Sequence, residues 1–295
     1  MERIAAVLAC HDRKAETLSC LASLRRQRRE GRFALSVFLV DDGSSDGTGE
    51  AVRAAFPEVA IIRGAGDLFW AGAMRVGLAA ALARGFDLYL MLNDDVVLED
   101  SAVLRLLDCR RRLARPEALI AGAMRDPETG RASYGGLRYP RLGIGLRLVP
   151  PRAAAQPCDS ANGNCLLVPA AALARLGNID PAFTHQLGDI DLGLRARAAG
   201  IGVWLAPGFA GSCAAHRPRP PAERRLGAVL AALRTPKGAE IGGVVLHPFG
   251  EWLAFVRRHF PRAWPIYFLL PYRRLLGYGL TRVLPRRRTP RRAIP

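Results

Sequence analysis

The stretch LSVFLVDDGSSDG, residues 35–47, passes without a break from a strand-like apolar run into a turn carrying three carboxylates. Leu35–Val40 reads as a short buried strand, and Asp41-Asp42-Gly43-Ser44-Ser45-Asp46-Gly47 as the turn that stops it and caps a helix over Thr48–Ala55. The same grammar repeats on either side. Arg3–Cys10 (RIAAVLAC) is a strand, followed by a helix over Ala15–Arg29 with Leu18, Leu21 and Leu24 on one face. Val59–Arg63 is a third strand, and Ala71–Arg84 an Ala-rich helix stopped by Gly85. Leu88–Leu92 (LYLML) is a fourth strand, running directly into Asn93-Asp94-Asp95. A helix over Ser101–Ala114 and a strand over Ala118–Ala123 complete the series. Strands alternating with helices predict an α/β fold with a mostly parallel sheet flanked by helices. Both acidic clusters follow strand C-termini, the edge where such sheets bind ligands.

Beyond residue 124 the pattern loosens. Residues 125–160, rich in Gly, Pro and Arg, read as an irregular insertion with a β-hairpin near Ser133–Tyr139. Short helices are expected at Ala170–Leu176 and Asp189–Ala199, the second stopped by Gly200.

Composition narrows the function classes. Half of the 295 residues are hydrophobic and 23% are charged, which suits a globular protein and excludes a disordered one. The net charge of +17 is unevenly spread: residues 217–295 hold 17 Lys and Arg against three Asp and Glu, leaving only +3 on residues 1–216. Two domains are therefore expected, a body over 1–216 and a basic, aromatic, helical C-terminal region over 217–295, joined by a stiff linker at Pro218, Pro220 and Pro221. The six cysteines are scattered, with no C-x-x-C pair, which argues against a zinc site and a disulfide framework. Ile4–Cys10 is too short for a signal sequence, and no run approaches the roughly 20 apolar residues of a membrane span, so the body reads as cytoplasmic. No glycine-rich phosphate loop follows any strand, which makes a dinucleotide oxidoreductase a poor fit.

Three acidic groups remain to carry chemistry. Asp41 and Asp42 sit where carboxylates can accept hydrogen bonds from a base or a ribose. Asn93, Asp94 and Asp95 stand at a rigid strand end, where one or two carboxylates plus substrate phosphates make a site for Mg²⁺ or Mn²⁺. Asp189 and Asp191 lie at the start of a helix, where an ionised carboxylate is a candidate general base and equally a helix cap. His216, at the junction of body and tail, could complete a metal site as a neutral imidazole.

In this order the motifs resemble glycosyltransferase family 2, of GT-A fold. Val40–Asp46 resembles that family's nucleotide-binding turn, and Gly66–Gly77 (GDLFWAGAMRVG) is similar to a G-N-x-x-W-x-G-A-x-x-x-G segment of its rhamnosyl- and galactofuranosyl-transferase branch, with Asp67 in place of the usual Asn. Leu92–Val96 (LNDDV) is similar to the branch's DXD motif, and Asn162–Cys165 to the segment beside the acceptor. Gly177–Phe183, Gly188–Leu192 and Arg195 resemble the G-x-[FI]-D-x-x-F and E-D-x-D-L-x-x-R pair. The resemblance covers residues 1–216 and implies roles. Asp41, Asp42, Asp67, Asn93, Asp94 and Asp95 would bind the donor, with Asp95 and His216 on the metal. Trp70, Asn164 and Asp191 would face the acceptor, and Asp189 would be the base. Gly188 departs from the family, standing where an accessory acid is usual. The implied reaction is inverting transfer of a sugar from a nucleoside diphosphate, dTDP-rhamnose or a UDP-sugar, to a hydroxyl of a glycan or lipid-linked acceptor in cell-surface polysaccharide synthesis.

The tail interleaves Trp252, Phe255, Phe260, Trp264, Tyr267, Phe268, Tyr272 and Tyr278 with arginines, a composition suited to lying in an anionic headgroup layer. A peripheral position at the cytoplasmic face of a membrane is therefore expected, with Arg286–Arg288, Arg291 and Arg292 as a frayed end. Two rival readings exist. A nucleic-acid-binding protein would use the tail but leave the acidic clusters idle. A nucleotidyltransferase would need glycines that the charged Cys10–Lys14 stretch lacks.

Overall fold

The computed structural model describes residues 1–140, 145–217, 226–241 and 244–283. The chain divides into two compact units, Met1–Arg217 and Pro218–Pro295. The prolines expected to form a linker, and the arginines of the expected frayed end, lie outside the described residues.

In the first unit the chain alternates as β1 (Glu2–Cys10), α1 (Lys14–Arg25), β2 (Phe33–Asp41), α2 (Thr48–Ala55), β3 (Ala60–Arg63), α3 (Phe69–Leu82) and β4 (Leu88–Asn93). It continues through β5 (Val97–Leu98), α4 (Ala102–Leu113), β6 (Leu119–Arg125), β7 (Ala132–Tyr134), β8 (Gly136–Arg138), β9 (Arg147–Leu148), β10 (Gln156–Cys158) and β11 (Ser160–Ala161). The unit closes with β12 (Cys165–Pro169), α5 (Ala170–Leu176), α6 (Gly188–Ala198) and β13 (Val203–Ser212).

One large sheet runs β10-β13-β6-β12-β4-β1-β2-β3, with β5 added to β13 and β7 to β6. The pairs β4-β1, β1-β2, β2-β3 and β13-β6 are parallel, which bears out the α/β sheet expected from the alternation. Its central strands carry the core: Ile4–Leu8 and Leu88–Leu92 are buried on both faces, which is why they read as unbroken apolar runs.

The structure adds what the local pattern did not predict. Cys165–Pro169 enters the middle of the sheet as β12, antiparallel to both β4 and β6. Val203–Ser212 becomes a long strand parallel to β6. Helix α1 ends at Arg25 rather than Arg29, because tertiary hydrogen bonds claim the next residues: Gln27 Nε2 donates to Glu99 O, and Arg28 N to Asp100 O. The hairpin expected near 133–139 belongs to two sheets, β7 pairing with β6 and β8 with β9 and β11.

The second unit contains α7 (Leu226–Ala232), a small hairpin of β14 (Ala239–Ile241) and β15 (Val244–Leu246), α8 (Phe249–His259) and α9 (Trp264–Val283). Its own core gathers Val229, Leu233, Ala239, Leu246 and Tyr272, with Trp252, Phe268 and Leu275 packed around it. No helix among the described residues is long and apolar enough to cross a membrane.

Candidate functional site

Parallel strands discharge their loops at one edge, so the segments after β1, β2, β3 and β4 share a rim. Because β12 runs antiparallel to β4, with Cys165 opposite Leu92, the loop before β12 reaches that same rim. The backbone N–H of Asn93 donates to Asn164 O there (3.4 Å). Motifs separated by some 150 residues thus converge for a topological reason.

The β2 turn is knit to the loop after β1. Asp12 Oδ1 accepts from Ser45 N (2.6 Å), and Asp46 Oδ2 from Lys14 N (3.0 Å). Asp41 is buried and accepts from Ser44 N (3.0 Å). Asp42 is buried too, with Oδ1 accepting from Gly66 N (2.9 Å) and Oδ2 from Phe69 N (3.0 Å). Both oxygens of Asp42 therefore shape the loop that leads into α3 and presents Trp70. Asp67, in the middle of that loop, is exposed.

At the end of β4 the carboxylates of Asp94 and Asp95 share one cation. Arg13 Nη1 lies 3.3 Å from Asp94 Oδ1, and Arg13 Nη2 2.9 Å from Asp95 Oδ2. Burial pushes Asp94 up to about 7, against the pull of Arg13; the Asp95 charge adds to the rise. Thr17 Oγ1 (3.4 Å) donates to the other Asp94 oxygen. Asp95 Oδ1 accepts from the thiol of Cys213 (3.4 Å), which in turn receives Asn164 Nδ2 (3.6 Å). Burial first, and then the Asp95 carboxylate, hold Cys213 firmly protonated. Arg13, Thr17 and Cys213 escaped the sequence reading. Arg13 was legible as a charge just past β1, whereas Cys213 follows a strand that periodicity did not reveal.

Asn93 links this acidic corner to the candidate base. Its Oδ1 accepts from Trp70 Nε1 (2.7 Å), and the Trp70 ring lies over Gly163. A Cβ on Gly163 would stand 2.5 Å from Trp70 Cζ2 and 2.6 Å from Cη2, so only glycine fits beneath the indole. The backbone N–H of Gly163 donates to Asp189 Oδ2 (2.7 Å), and that of Ile190 to Asp189 Oδ1 (2.8 Å). Burial raises the Asp189 carboxyl above its ordinary range, and the two N–H donors partly counter the rise. Two backbone donors thus hold this carboxylate in one orientation.

The neighbouring Gly188 is closely packed: a Cβ there would sit 3.0 Å from Ile179 Cγ2 and 3.1 Å from Ala71 Cβ, so a side chain would require these methyls to give by a few tenths of an ångström. Asp191, assigned to the acceptor on resemblance, is fully buried, and its Oδ2 accepts from Arg195 Nε (2.7 Å). Arg195 also donates to the carbonyls of Leu176 and Asn178, so the pair ties α6 to the loop after α5. Asn164 is buried and serves Asn93 and Cys213.

His216 is exposed, three residues past Cys213, with its backbone N–H donating to Tyr134 Oη (3.1 Å). The segment is held by Asp126, which accepts from Ala215 N (2.8 Å); these backbone donors lower the Asp126 carboxyl to about 2. Among the described residues no group of three His, Cys, Asp or Glu side chains forms a ready-made metal cage. The residues present nevertheless fit Mg²⁺ or Mn²⁺: two oxygen ligands at a strand end already attract a cation, and such ions usually take their remaining ligands from water and substrate phosphates.

A twisted α/β sheet that gathers the turn after β2, the acidic end of β4 and the half-buried Asp189 at one rim has the architecture of a GT-A fold. Residues 5–135 match the family model described as Glycosyl transferase family 2. Two strains of Mycobacterium tuberculosis supply a relative, N-acetylglucosaminyl-diphospho-decaprenol L-rhamnosyltransferase, 28% identical over 198 residues. The match covers 58% of this chain and 63% of the relative, so the chain spans under two thirds of the length of that protein. A similar solved structure is the mannosyltransferase PcManGT from Pyrobaculum calidifontis in complex with GDP-Man and Mn²⁺. It has a TM-score of 0.52 at 16% identity and covers 95% of this chain and 73% of that one.

Proposed function

We propose that the protein is an inverting glycosyltransferase that moves a sugar from a nucleoside diphosphate, dTDP-rhamnose or a UDP-sugar, to a hydroxyl of a lipid-linked glycan acceptor. The observation that carries this reading is the unbroken relay from Arg13 and the Asp94–Asp95 corner through Asn93, Trp70 and Gly163 to Asp189. It joins a place for a diphosphate and its metal to a place for a base. The relative's lipid-linked acceptor and sugar supply the substrate class, and the Mn²⁺ of the structural neighbour supports use of a divalent ion.

Asp94 and Asp95 would hold the metal, with His216 close in sequence to the Cys213 that touches Asp95. Bound there, the ion would neutralise charge building on the departing diphosphate. Asp41 and Asp42 shape the turn against which base and ribose would lie, and Asp67 is the exposed group of the facing loop. Asp189 removes the proton of the acceptor hydroxyl as its oxygen attacks the anomeric carbon. The C–O bond to the nucleoside diphosphate breaks on the opposite face, so one bond forms, one breaks, and configuration inverts. Trp70 borders both halves of the site and is suited to stack on the acceptor sugar. Asp191 and Asn164 act here as positioning residues, since their polar atoms are engaged inside the protein.

The cellular reading is assembly of a surface polysaccharide at the inner face of a membrane, with the basic second unit near anionic lipid. The rival nucleic-acid and nucleotidyltransferase readings give Asp189 no substrate. Asp189→Asn tests the mechanism. It removes the base, whose catalytic share is about 10²–10⁴-fold in rate, and should leave affinity for the nucleoside diphosphate within a few-fold. Transfer by this variant at the wild-type rate would take Asp189 out of the reaction.

A further inference from the structure

The second unit was expected to meet a membrane through its many aromatic rings, yet the structure uses most of them internally. Trp252 Nε1 donates to the carbonyls of Tyr267 (3.3 Å) and Phe268 (3.2 Å), and its ring stacks on Phe255 (5.5 Å between centroids). Phe260 stacks on Tyr267 (4.0 Å), and Tyr272 is buried with its hydroxyl on His247 O (2.8 Å). What remains outside is different. Ile266 is 64% and Leu269 63% exposed, the most open large aliphatic side chains of the chain's described residues apart from Met1. Both lie on α9 three residues apart, and exposed Arg273 follows one turn later. At the helical pitch these three positions fall within an arc of about 60°. Arg262 is exposed just before the helix, and Arg257, exposed at the end of α8, lies over the Trp264 ring (4.7 Å).

We propose that this face of α9 is a membrane wedge: Ile266 and Leu269 enter the acyl boundary of an anionic bilayer while Arg262 and Arg273 lie among the headgroup phosphates. Two considerations select lipid over other partners. An exposed aliphatic pair wins free energy only where it leaves water, and a nucleic-acid backbone offers no apolar phase to receive it. The surrounding charge has the sign that anionic headgroups attract, with 17 Lys and Arg against three Asp and Glu over residues 217–295. The wedge concerns where the protein sits and is independent of the sugar-transfer chemistry. A soluble donor and a vesicle are separate probes, so failure of one reading leaves the other standing.

The test is co-sedimentation of the full chain with vesicles of phosphatidylglycerol mixed with phosphatidylcholine, against vesicles of phosphatidylcholine alone. Wild type should bind the anionic vesicles, and high salt should weaken binding. Ile266→Ser with Leu269→Ser should lower partitioning by about 10²- to 10⁴-fold, the equivalent of withdrawing two aliphatic side chains from an apolar phase. These positions are surface-exposed, so an unchanged melting temperature would confirm that the double variant folds. Insertion itself is read by Ile266→Cys carrying an environment-sensitive dye, which labels selectively because all six native cysteines are buried. The emission should shift to the blue on vesicles. Wild-type protein that ignores anionic vesicles, a double variant that binds as wild type does, or a dye that stays in water on bound protein would each overturn the proposal. So would tight binding of single-stranded DNA that the same substitutions abolish, which would make the face a nucleic-acid surface.

Discussion

Replacing Gly163 by alanine is the sharpest single perturbation of the relay, because its cost follows from two distances. The added methyl would stand 2.5 and 2.6 Å from two carbons of the Trp70 ring, and 3.3 Å from Asp189 Cβ. Ordinary carbon contacts need about 3.5–4.0 Å, so the indole has to withdraw by about 1 Å. That movement pulls Nε1 away from Asn93 Oδ1, now at 2.7 Å. Overpacking of this kind costs about 1–3 kcal/mol, and a lost hydrogen bond about 0.5–1.5 kcal/mol. The expected destabilisation is therefore about 2–4 kcal/mol. For a unit of this size that lowers Tm by roughly 2–4 °C per kcal/mol. Transfer should fall further than stability, by about 10²-fold, since an ångström of misplacement between reacting groups suffices for such a loss. Steady-state transfer and thermal melts of the purified chain read both effects. Trp70→Phe provides the internal control: the smaller ring lacks the two clashing carbons, so Gly163→Ala in that background should cost under about 1 kcal/mol more. A Gly163→Ala enzyme with wild-type rate and Tm, or a penalty that persists undiminished beside Phe at position 70, would refute the proposed packing.

Four further outcomes are expected. The acid limb of kcat/KM for transfer should have its midpoint above the ordinary carboxylate value, because burial raises Asp189 and only its ionised form accepts a proton; a limb at or below that value would assign the base elsewhere. The same raised value makes ionisation of Asp189 a cost to folding that grows as pH climbs from the ordinary carboxylate range through the folded pKa. Asp189→Asn should therefore flatten that part of the stability profile, as measured by denaturant melts at stepped pH. Asp191→Asn should destabilise by about 3–5 kcal/mol, since it leaves the half-buried Arg195 without its buried partner, and denaturant unfolding would expose a smaller effect. Chelation of divalent ions should abolish transfer and weaken binding of the nucleoside diphosphate, with recovery on adding Mn²⁺ or Mg²⁺; undiminished transfer in chelator would separate Asp94 and Asp95 from metal chemistry.

Much of the candidate site was legible in the sequence because its acidic half is made of strand ends. An apolar run that stops at a carboxylate declares both the buried strand and the polar rim, and this held for Val40–Asp42 and Leu92–Asp95. Asp189 was legible as a carboxylate at the start of a helix, but its two backbone donors were not, since Gly163 comes from a distant loop. Gly188 read as a missing acid, and its close packing against Ile179 and Ala71 was not visible in the sequence. Asp191 shows the opposite error: a motif position does not reveal whether a carboxylate faces solvent or an internal arginine.

The order of strands and helices through β6, the sign and placement of charge, and the resemblance of residues 1–216 to a known family were written in local pattern, because periodicity and turn chemistry act over a few residues. The insertion of β12 between β4 and β6, the grip of Arg13 on two carboxylates, and the burial of the tail's aromatics were decided only by the tertiary structure. Each depends on which segments meet across long stretches of chain, where burial and direct pairing select among partners that a linear pattern leaves equivalent.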